Sequence, residues 1–185
     1  FTNQATLSYN NQSIPSNVVT GVLTEVLSVS KTAIPAAYQN GDTITYAVQL
    51  VNSGTAALTG LTLTDNLGAY TPAAGTAAVV PMTYQTDTLR YYRNGILQAT
   101  PTIAATSPLT VTGLSIPAGG NTTLMYAVKT NQFTPYGAEE SVTNTATVTG
   151  GGLAAPLTAE ATVNADPAPD LSVIKSMCPT TVTEA

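Results

Sequence analysis

The residue types that most often perform catalysis are scarce in this chain. It has no histidine and a single cysteine, Cys178, so neither a Ser/His/Asp nor a Cys/His arrangement can be assembled. Its acidic residues lack the dense spacing of a calcium-binding loop, and we expect no metal and no cofactor. Cys178 is interpreted either as a small buried apolar residue or as one half of a disulfide between subunits. The sequence therefore predicts a protein that is not an enzyme.

Polar residues that recur along the chain are more informative. Lys and Arg together number 5 in 185 residues, yet Lys31 and Lys175 occupy matching positions in two similar segments, and Asn3 and Asn144 do so in two others. The matching segments are 27–31 with 171–175, and 2–7 with 143–148. Because the two pairs lie at nearly equal separations, the sequence predicts a tandem repeat.

The repetition divides the chain into three parts. We predict that residues 1–25 are the closing strands of a preceding repeat, that residues 26–165 form one complete repeat, and that residues 166–185 are a linker and the opening strand of a following repeat. The linker contains Pro167 and Pro169, which favour an extended spacer.

Alternation of polar and apolar residues indicates the elements that would position these side chains. Such alternation is typical of half-buried strands, and no stretch has helical periodicity. Gly, Pro and Asn clusters separate the candidate strands. The sequence predicts an all-β, immunoglobulin-like β-sandwich with Greek-key connections. The main strand candidates are residues 24–32, 43–50, 61–64, 109–112, 122–130, 142–149 and 157–164.

Composition excludes several classes of function. A net charge of −5 provides no basic patch for nucleic acid. Charged residues make up only 8% of the chain, well below the usual share of a cytosolic enzyme. No apolar run is long enough to span a bilayer, and Phe1 does not begin a signal peptide. We expect a mature or excised segment of an extracellular protein, located at a cell surface or on a surface appendage and not inserted in a membrane.

Five short motifs in order resemble a known family. They are similar to the bacterial surface-repeat domain known as domain of unknown function 11, an immunoglobulin-like module, and to isopeptide-containing domains of Gram-positive pilins and adhesins. The resemblance covers most of residues 27–149 and departs from the family in a long insertion, residues 68–108. The motifs are Lys31, Gly41-Asp42-Thr43-Ile44-Thr45-Tyr46, Asn52-Ser53-Gly54, Thr64-Asp65-Asn66-Leu67 and Asn144-Thr145-Ala146-Thr147-Val148.

The resemblance implies that Lys31 and Asn144 form an intramolecular isopeptide bond, with Asp65 as the catalyst. Burial in an apolar core would disfavour the ammonium form of Lys31 and provide a neutral amine as nucleophile. A protonated Asp65 could donate to the Asn144 side-chain oxygen and shuttle protons as ammonia leaves. The bond would tie the opening strand to the closing strand, and the only chemistry would be the protein's own crosslinking.

The same residues have ordinary interpretations. Lys31 could be a solvated lysine that discourages pairing at a sheet edge, and Asp65 could cap a turn. Asn144 could satisfy backbone groups without covalent chemistry. Glu139 or Glu140 is the alternative acid if Asp65 is not the catalyst.

Residues 1–25 also raise a hypothesis about assembly. An isolated strand pair exposes hydrogen-bonding edges and an apolar face, so it would pack on the complete repeat or complete the sandwich of another subunit by strand exchange. In the second case Asn3 of one chain could be crosslinked to Lys175 of another.

Three classes of function remain open at this point. The first is a structural repeat of a stalk or fibre, with neighbouring repeats or identical subunits as partners. The second is an adhesin module that binds a host protein or glycan through the 68–108 insertion. The third is an accessory domain of a secreted enzyme. The repetition favours the first.

Overall fold

The computed structural model describes residues 2–20, 26–73, 75, 77–137 and 140–166. These residues form sixteen strands and no helix. The described part of the chain therefore contains no membrane-spanning helix. The strands are β1 (Thr2–Asn3), β2 (Thr6–Tyr9), β3 (Gln12–Pro15), β4 (Val19–Thr20), β5 (Leu27–Ile34), β6 (Ala37–Tyr38), β7 (Thr43–Asn52), β8 (Leu58–Asp65), β9 (Met82–Tyr84), β10 (Arg90–Arg93), β11 (Ile96–Leu97), β12 (Thr102–Thr106), β13 (Leu109–Ile116), β14 (Asn121–Thr130), β15 (Ser141–Gly150) and β16 (Leu157–Ala165).

Two six-stranded sheets form an immunoglobulin-like β-sandwich. The first sheet has the order β11-β10-β14-β7-β5, with β9 also pairing with β14. The second sheet has the order β12-β13-β8-β15-β16-β6. The chain changes sheet between β7 and β8, between β13 and β14 and again between β14 and β15, as Greek-key connections do. The prediction of an all-β sandwich is therefore confirmed.

The core lies between the inner faces of the two sheets. In β7 every second residue is buried, from Ile44 through Tyr46 and Val48 to Leu50, and the other long strands follow the same alternation. Each fully buried aliphatic side chain stabilises the fold by about 1.5–3 kcal/mol. Three polar side chains interrupt this apolar layer near its centre: Lys31, Asp65 and Asn144.

The insertion at residues 68–108 is part of the sandwich. It contains β9, β10, β11 and β12, which extend the first sheet beyond β14 and form one edge of the second sheet. Tyr84 and Tyr91 from this insertion are buried in the core. The insertion therefore widens both sheets.

Residues 2–20, here called the N-terminal hairpin, form two small ladders outside the two large sheets. β1 pairs with β4, and β2 pairs with β3. Every residue of the hairpin is exposed, including Leu7, Tyr9 and Ile14, each more than 60% exposed. The N-terminal hairpin has no strand partner in the rest of the described chain.

Most of the strands predicted from alternation are present with shifted ends. The structure extends the predicted 61–64 segment to Leu58–Asp65 and the 109–112 segment to Leu109–Ile116. The predicted 24–32 segment corresponds to β5, which runs from Leu27 to Ile34 and therefore extends two residues beyond the predicted end. The ends moved because both strands continue past Gly60 and Gly113, where the alternation breaks and the register between β8 and β13 shifts, as at a β-bulge.

Candidate crosslinking site

Lys31 lies in the middle of β5, on the face that turns toward the core. The alternation of β5 places Leu27 and Lys31 inward, and Lys31 pairs with Val48 of β7. Its side chain is 0% exposed. Lys31 is therefore not the solvated edge lysine of the ordinary interpretation, and its amine is enclosed between the sheets.

Asp65 faces Lys31 from the second sheet. It is the last residue of β8, and its Oδ2 forms an ion pair with Lys31 Nζ. The hydroxyl of Tyr126, from β14, donates a hydrogen bond to the same oxygen. The other carboxylate oxygen, Oδ1, accepts the Leu67 backbone N–H at 2.9 Å. Asp65 thus caps a turn with one oxygen and holds the buried amine with the other.

Two tyrosine rings surround the ion pair. Lys31 Nζ lies 4.6 Å from the centroid of the Tyr46 ring, within the range of a cation–π contact. The rings of Tyr46 and Tyr126 are 6.0 Å apart, centroid to centroid. These rings exclude water from the amine, so the ion pair lies in a low-dielectric setting.

Burial changes the acid–base behaviour of this cluster. It lowers the pKa of Lys31 from 10.5 to about 8, although the nearby charges of Asp65 and Glu160 oppose the change. A pKa of about 8 leaves roughly a tenth of the amines neutral at pH 7. Burial also raises the pKa of Tyr126 well above 10.0. The site therefore holds an amine that can become a nucleophile beside a phenol that stays protonated.

Asn144 is the third buried polar residue of the cluster. It lies in β15, which pairs with β8 so that Ala146 is opposite Asp65. Asn144 lies two residues before Ala146 on the same inward face of β15, and it is 0% exposed. Its Oδ1 accepts the Gly68 backbone N–H at 3.2 Å. Its Nδ2 is buried and makes no hydrogen bond of normal length, although the Asn144 side chain lies near enough to the Tyr46 hydroxyl to oppose the rise that burial causes in the pKa of Tyr46. A buried donor without a full hydrogen bond costs up to about 1–3 kcal/mol.

The turn that follows Asp65 fastens β8 to β15 beside Asn144. Asn66 exchanges two hydrogen bonds of 3.0 Å with the Thr145 backbone, and its side chain accepts the Gly68 N–H at 2.9 Å. Gly68 has a φ of +73°, and a Cβ there would lie 2.4 Å from Val142 Cγ1. Glycine is therefore required at this position. Residues 64–68 form the turn that contacts both Asp65 and Asn144.

The structure thus brings Lys31 and Asp65 into contact and places Asn144 on the same inner face as Asp65. One expectation needs correction, because β16 follows β15 and Asn144 does not lie in the last strand of the sandwich. β15 and β16 pair as an antiparallel hairpin within the second sheet, and sequence alternation gives no order of strands within a sheet.

The remaining predicted site residues lie elsewhere. Asn3 is exposed in β1, and the N-terminal hairpin contains no Asp or Glu. Glu140, one of the alternative acids, is exposed as well. Lys175, Cys178 and Glu139 lie outside the described residues. Within the described ranges, no group of three or more Asp, Glu, Cys or His side chains is arranged to hold a metal ion.

Sequence reasoning missed four residues of the site. Tyr126 was noted only as part of a strand, Tyr46 and Asn66 only as members of motifs, and Gly68 only as the first residue of the insertion. An aromatic residue at an inward position of a central strand is an ordinary core residue by pattern, so Tyr126 carried no signal. The Asn66 and Gly68 pair did carry one, since both residue types favour the special turn that follows Asp65.

No protein-family model matches the sequence, and no curated protein matches it. Solved structures with a similar fold include the N-terminal domain of the Streptococcus gordonii adhesin Sgo0707, with a TM-score of 0.54 and 15% identity over 74% of this chain and 32% of that chain. The BcpA major pilin subunit of Bacillus cereus has a TM-score of 0.51 and 13% identity over 89% of this chain and 48% of that chain.

The pilus backbone protein RrgB of Streptococcus pneumoniae is similar at a TM-score of 0.50 and 11% identity, over 66% of this chain and 31% of that chain. This chain therefore spans about a third to a half of the length of the structures it matches. At such low identity the likeness concerns the fold, an immunoglobulin-like β-sandwich of the kind found in Gram-positive pilins and adhesins.

Proposed function

We propose that this chain is a structural module of an extracellular bacterial stalk or fibre, and that an isopeptide bond between Lys31 and Asn144 joins its two sheets. The likeness to pilin and adhesin domains supports the surface role. The motif series similar to domain of unknown function 11 supports a tandem arrangement, with neighbouring repeats or identical subunits as partners. Nothing in this proposal requires an enzyme activity toward another molecule.

The bond can form without an external reagent. Lys31 gives one proton to Asp65, and the neutral Nζ then attacks Cγ of Asn144. The Cγ–Nδ2 bond breaks as a second proton passes from Nζ through Asp65 to Nδ2. The new amide keeps one hydrogen on Nζ, and the amide nitrogen of Asn144 leaves as ammonia, which takes up the remaining proton as ammonium.

The observation that carries the proposal is the unpaired Nδ2 of Asn144. This nitrogen is the leaving group of the reaction, and it is the one polar atom of the three side chains that makes no hydrogen bond of normal length. Buried polar groups in folded proteins are nearly always hydrogen-bonded. Its departure would remove an unsatisfied buried donor, and the reaction would also remove the buried charge of Lys31.

The crosslink would have a mechanical consequence. Lys31 belongs to the first sheet and Asn144 to the second, so the bond would prevent the two sheets from separating. By analogy with disulfides, closing a loop as long as that between positions 31 and 144 stabilises the fold by about 4–5 kcal/mol. A fibre module with this bond would resist unfolding when it is pulled.

Intact mass spectrometry of the denatured protein tests the proposal. We expect the parent chain to be lighter than its sequence mass by one ammonia, and K31A and N144A to have their full calculated masses. Q49A, a substitution on the solvent side of β7, is the control and should keep the deficit. A parent chain at its full calculated mass would contradict the crosslink.

The N-terminal hairpin favours an additional role in assembly by strand exchange. Leu7 and Ile14 are directly opposite each other and both exposed, so this face is available to a sandwich of another subunit. In such an assembly Asn3 would be crosslinked to Lys175 of the next chain. Denaturing gels of the concentrated protein should then contain covalent oligomers that are absent from N3A. A ladder unaffected by N3A, or monomers alone, would contradict this intermolecular bond.

A second candidate function is ligand binding by the insertion. A cavity of about 340 Å³ is lined by side chains that include Tyr84, Asp87, Arg90 and Thr100. The Tyr84 hydroxyl is buried without a hydrogen-bond partner. Such a cavity suits a sugar ring of a host glycan. Binding to a glycan array that is lost in R90A would support an adhesin role, and an array without any binding would argue against it.

A further inference from the structure

Asp65 has a third polar neighbour besides Lys31 and the turn backbone. The hydroxyl of Tyr126 donates to Oδ2, the same oxygen that holds Lys31 Nζ. Tyr126 is 1% exposed, and it reaches Asp65 across the core from the first sheet. Because Oδ1 is held by the Leu67 N–H at 2.9 Å, both oxygens of the carboxylate are fixed in direction.

A phenol suits a carboxylate that must change its protonation state. An ionised carboxylate only accepts hydrogen bonds, whereas a protonated carboxyl group must also donate one. A tyrosine hydroxyl can donate in the first case and accept in the second. Burial raises the pKa of Tyr126 well above 10.0, so its hydroxyl keeps its proton throughout the ordinary pH range.

We infer that Tyr126 is a positioning residue for the crosslinking reaction proposed above. Its hydroxyl holds Oδ2 of Asp65 against Lys31 Nζ while the carboxylate is ionised. When Asp65 has taken a proton from Lys31, the Tyr126 oxygen accepts the hydrogen bond of the new carboxyl O–H. Tyr126 itself neither gains nor loses a proton, and the balance of the reaction is unchanged.

The other buried tyrosines provide a matched comparison. The Tyr46 hydroxyl points to Met82 Sδ at 3.6 Å and is not hydrogen-bonded to Asp65. The Tyr91 hydroxyl donates to the Ser115 carbonyl oxygen at 3.0 Å, in another part of the core. Y126F removes the phenol hydrogen bond to Asp65. Y91F removes a phenol hydrogen bond elsewhere in the core and leaves Asp65 unchanged.

The test follows crosslinking in freshly synthesised chains. Parent, Y126F and Y91F chains are made in a short pulse of cell-free synthesis, and the loss of ammonia is followed by intact mass. We expect Y126F to react at least about tenfold more slowly than the parent, and Y91F to react at the parent rate. Thermal unfolding of all three chains provides the comparison of stability.

A pH profile separates positioning from a merely structural role. The reaction needs a proton shared between Lys31 and Asp65, so its rate should fall at both low and high pH. Tyr126 holds the carboxylate oxygen that receives the Lys31 proton, so Y126F should change this pH profile, whereas Y91F should keep the parent profile. Lys31 and Tyr46 contact the carboxylate or the amine, and the charge of the exposed Glu160 raises the pKa of Lys31; all three are unchanged in this variant.

The outcomes distinguish this inference from the proposal on which it rests. A parent chain that never loses ammonia contradicts the isopeptide itself. A crosslinked parent, with Y126F equal to it in rate and pH profile, overturns the role of Tyr126 and leaves the isopeptide intact. A Y126F chain that fails to fold while Y91F folds would show that Tyr126 is structural, and this result would also overturn the inference.

Discussion

Two hairpins of this chain have similar sequences and opposite environments. The C-terminal hairpin, β15–β16, pairs with β8 and buries Asn144 and Val148. The N-terminal hairpin carries Asn3 and Leu7 at the matching positions and leaves both exposed. The internal pairing is also alike, because Val148 is opposite Leu157 and Leu7 is opposite Ile14.

The difference shows that a hairpin sequence alone does not make a crosslinking site. Asn144 is buried because β8 pairs with its strand and the turn after Asp65 donates a hydrogen bond to its side chain. Asn3 has neither neighbour in the described chain. The proposed crosslink therefore depends on long-range partners, and substitutions can remove these partners one at a time.

Removal of Asp65 should have the largest effect. In D65A the amine of Lys31 has no counter-charge in the core, and the crosslink cannot form. Leaving one member of a buried ion pair without its partner costs about 3–5 kcal/mol. Urea unfolding of D65A in comparison with N144A, which lacks the crosslink but keeps the ion pair, measures this cost. Equal stability of the two variants would contradict a buried ion pair.

The turn beside Asn144 should tolerate substitution poorly. G68A requires a Cβ at a φ of +73° and 2.4 Å from Val142 Cγ1, and we expect a loss of about 2–4 kcal/mol in the free energy of unfolding. Gly113 is the matched control, with a φ of +75° and no atom within 4 Å of the added Cβ. G113A should cost about 1–2 kcal/mol. A G113A variant as unstable as G68A would show that the contact with Val142 is unimportant.

Truncation at equivalent positions should separate the two hairpins. V148A leaves a cavity in the core and should lower the free energy of unfolding by about 2 kcal/mol. L7A removes an exposed side chain and should change it by less than about 0.5 kcal/mol. Both values come from chemical denaturation of the full chain. A large effect of L7A in dilute protein would mean that the N-terminal hairpin packs on its own sandwich.

The smallest expected effect is a pH dependence confined to chains without the crosslink. Lys31 has a pKa of about 8 in the folded chain, against an ordinary value of 10.5, so the unfolded chain binds more protons between these two values. The stability of N144A should therefore rise with pH in this window, by about 1–2 kcal/mol from about pH 8 to about pH 9.5.

Two chains serve as controls for this rise. K31M lacks the amine and should not show it, and the crosslinked parent should not show it because its Lys31 nitrogen is an amide. Burial raises the pKa of Tyr38, Tyr46 and Tyr126, so stability should fall again above about pH 10 as tyrosines ionise in the unfolded chain. Identical curves for N144A and K31M would contradict the lowered pKa of Lys31.

Much of the fold was predictable because strand alternation is a local property of the sequence. Alternation indicated β7, β14 and β15 nearly to their ends, and the Asn40-Gly41 and Pro117-Ala118-Gly119-Gly120 turns indicated where β7 and β14 begin. The order of strands in each sheet was not predictable, since it depends on pairing between distant segments. For this reason the insertion was treated as a separate feature, whereas its strands belong to both sheets.

The candidate site was predictable only in part for the same reason. Lys31, Asp65 and Asn144 could be proposed from motifs that resemble a family. The contact of Tyr126 with Asp65 joins positions 61 residues apart in two different sheets, and no local pattern indicates it. The exposure of Asn3 was equally hidden, because its local sequence is nearly that of Asn144.

Tandem mass spectrometry of a tryptic digest tests the central claim most directly. A crosslinked Lys31 blocks cleavage, so trypsin should release residues 1–90 joined to residues 130–175, lighter by one ammonia than the two fragments together. Fragmentation should locate the bond at Lys31 and Asn144, and N144A should instead release residues 1–31, 32–90 and 130–175 as separate peptides. A parent digest in which cleavage occurs after Lys31, with Asn144 intact in its own fragment, would contradict the account.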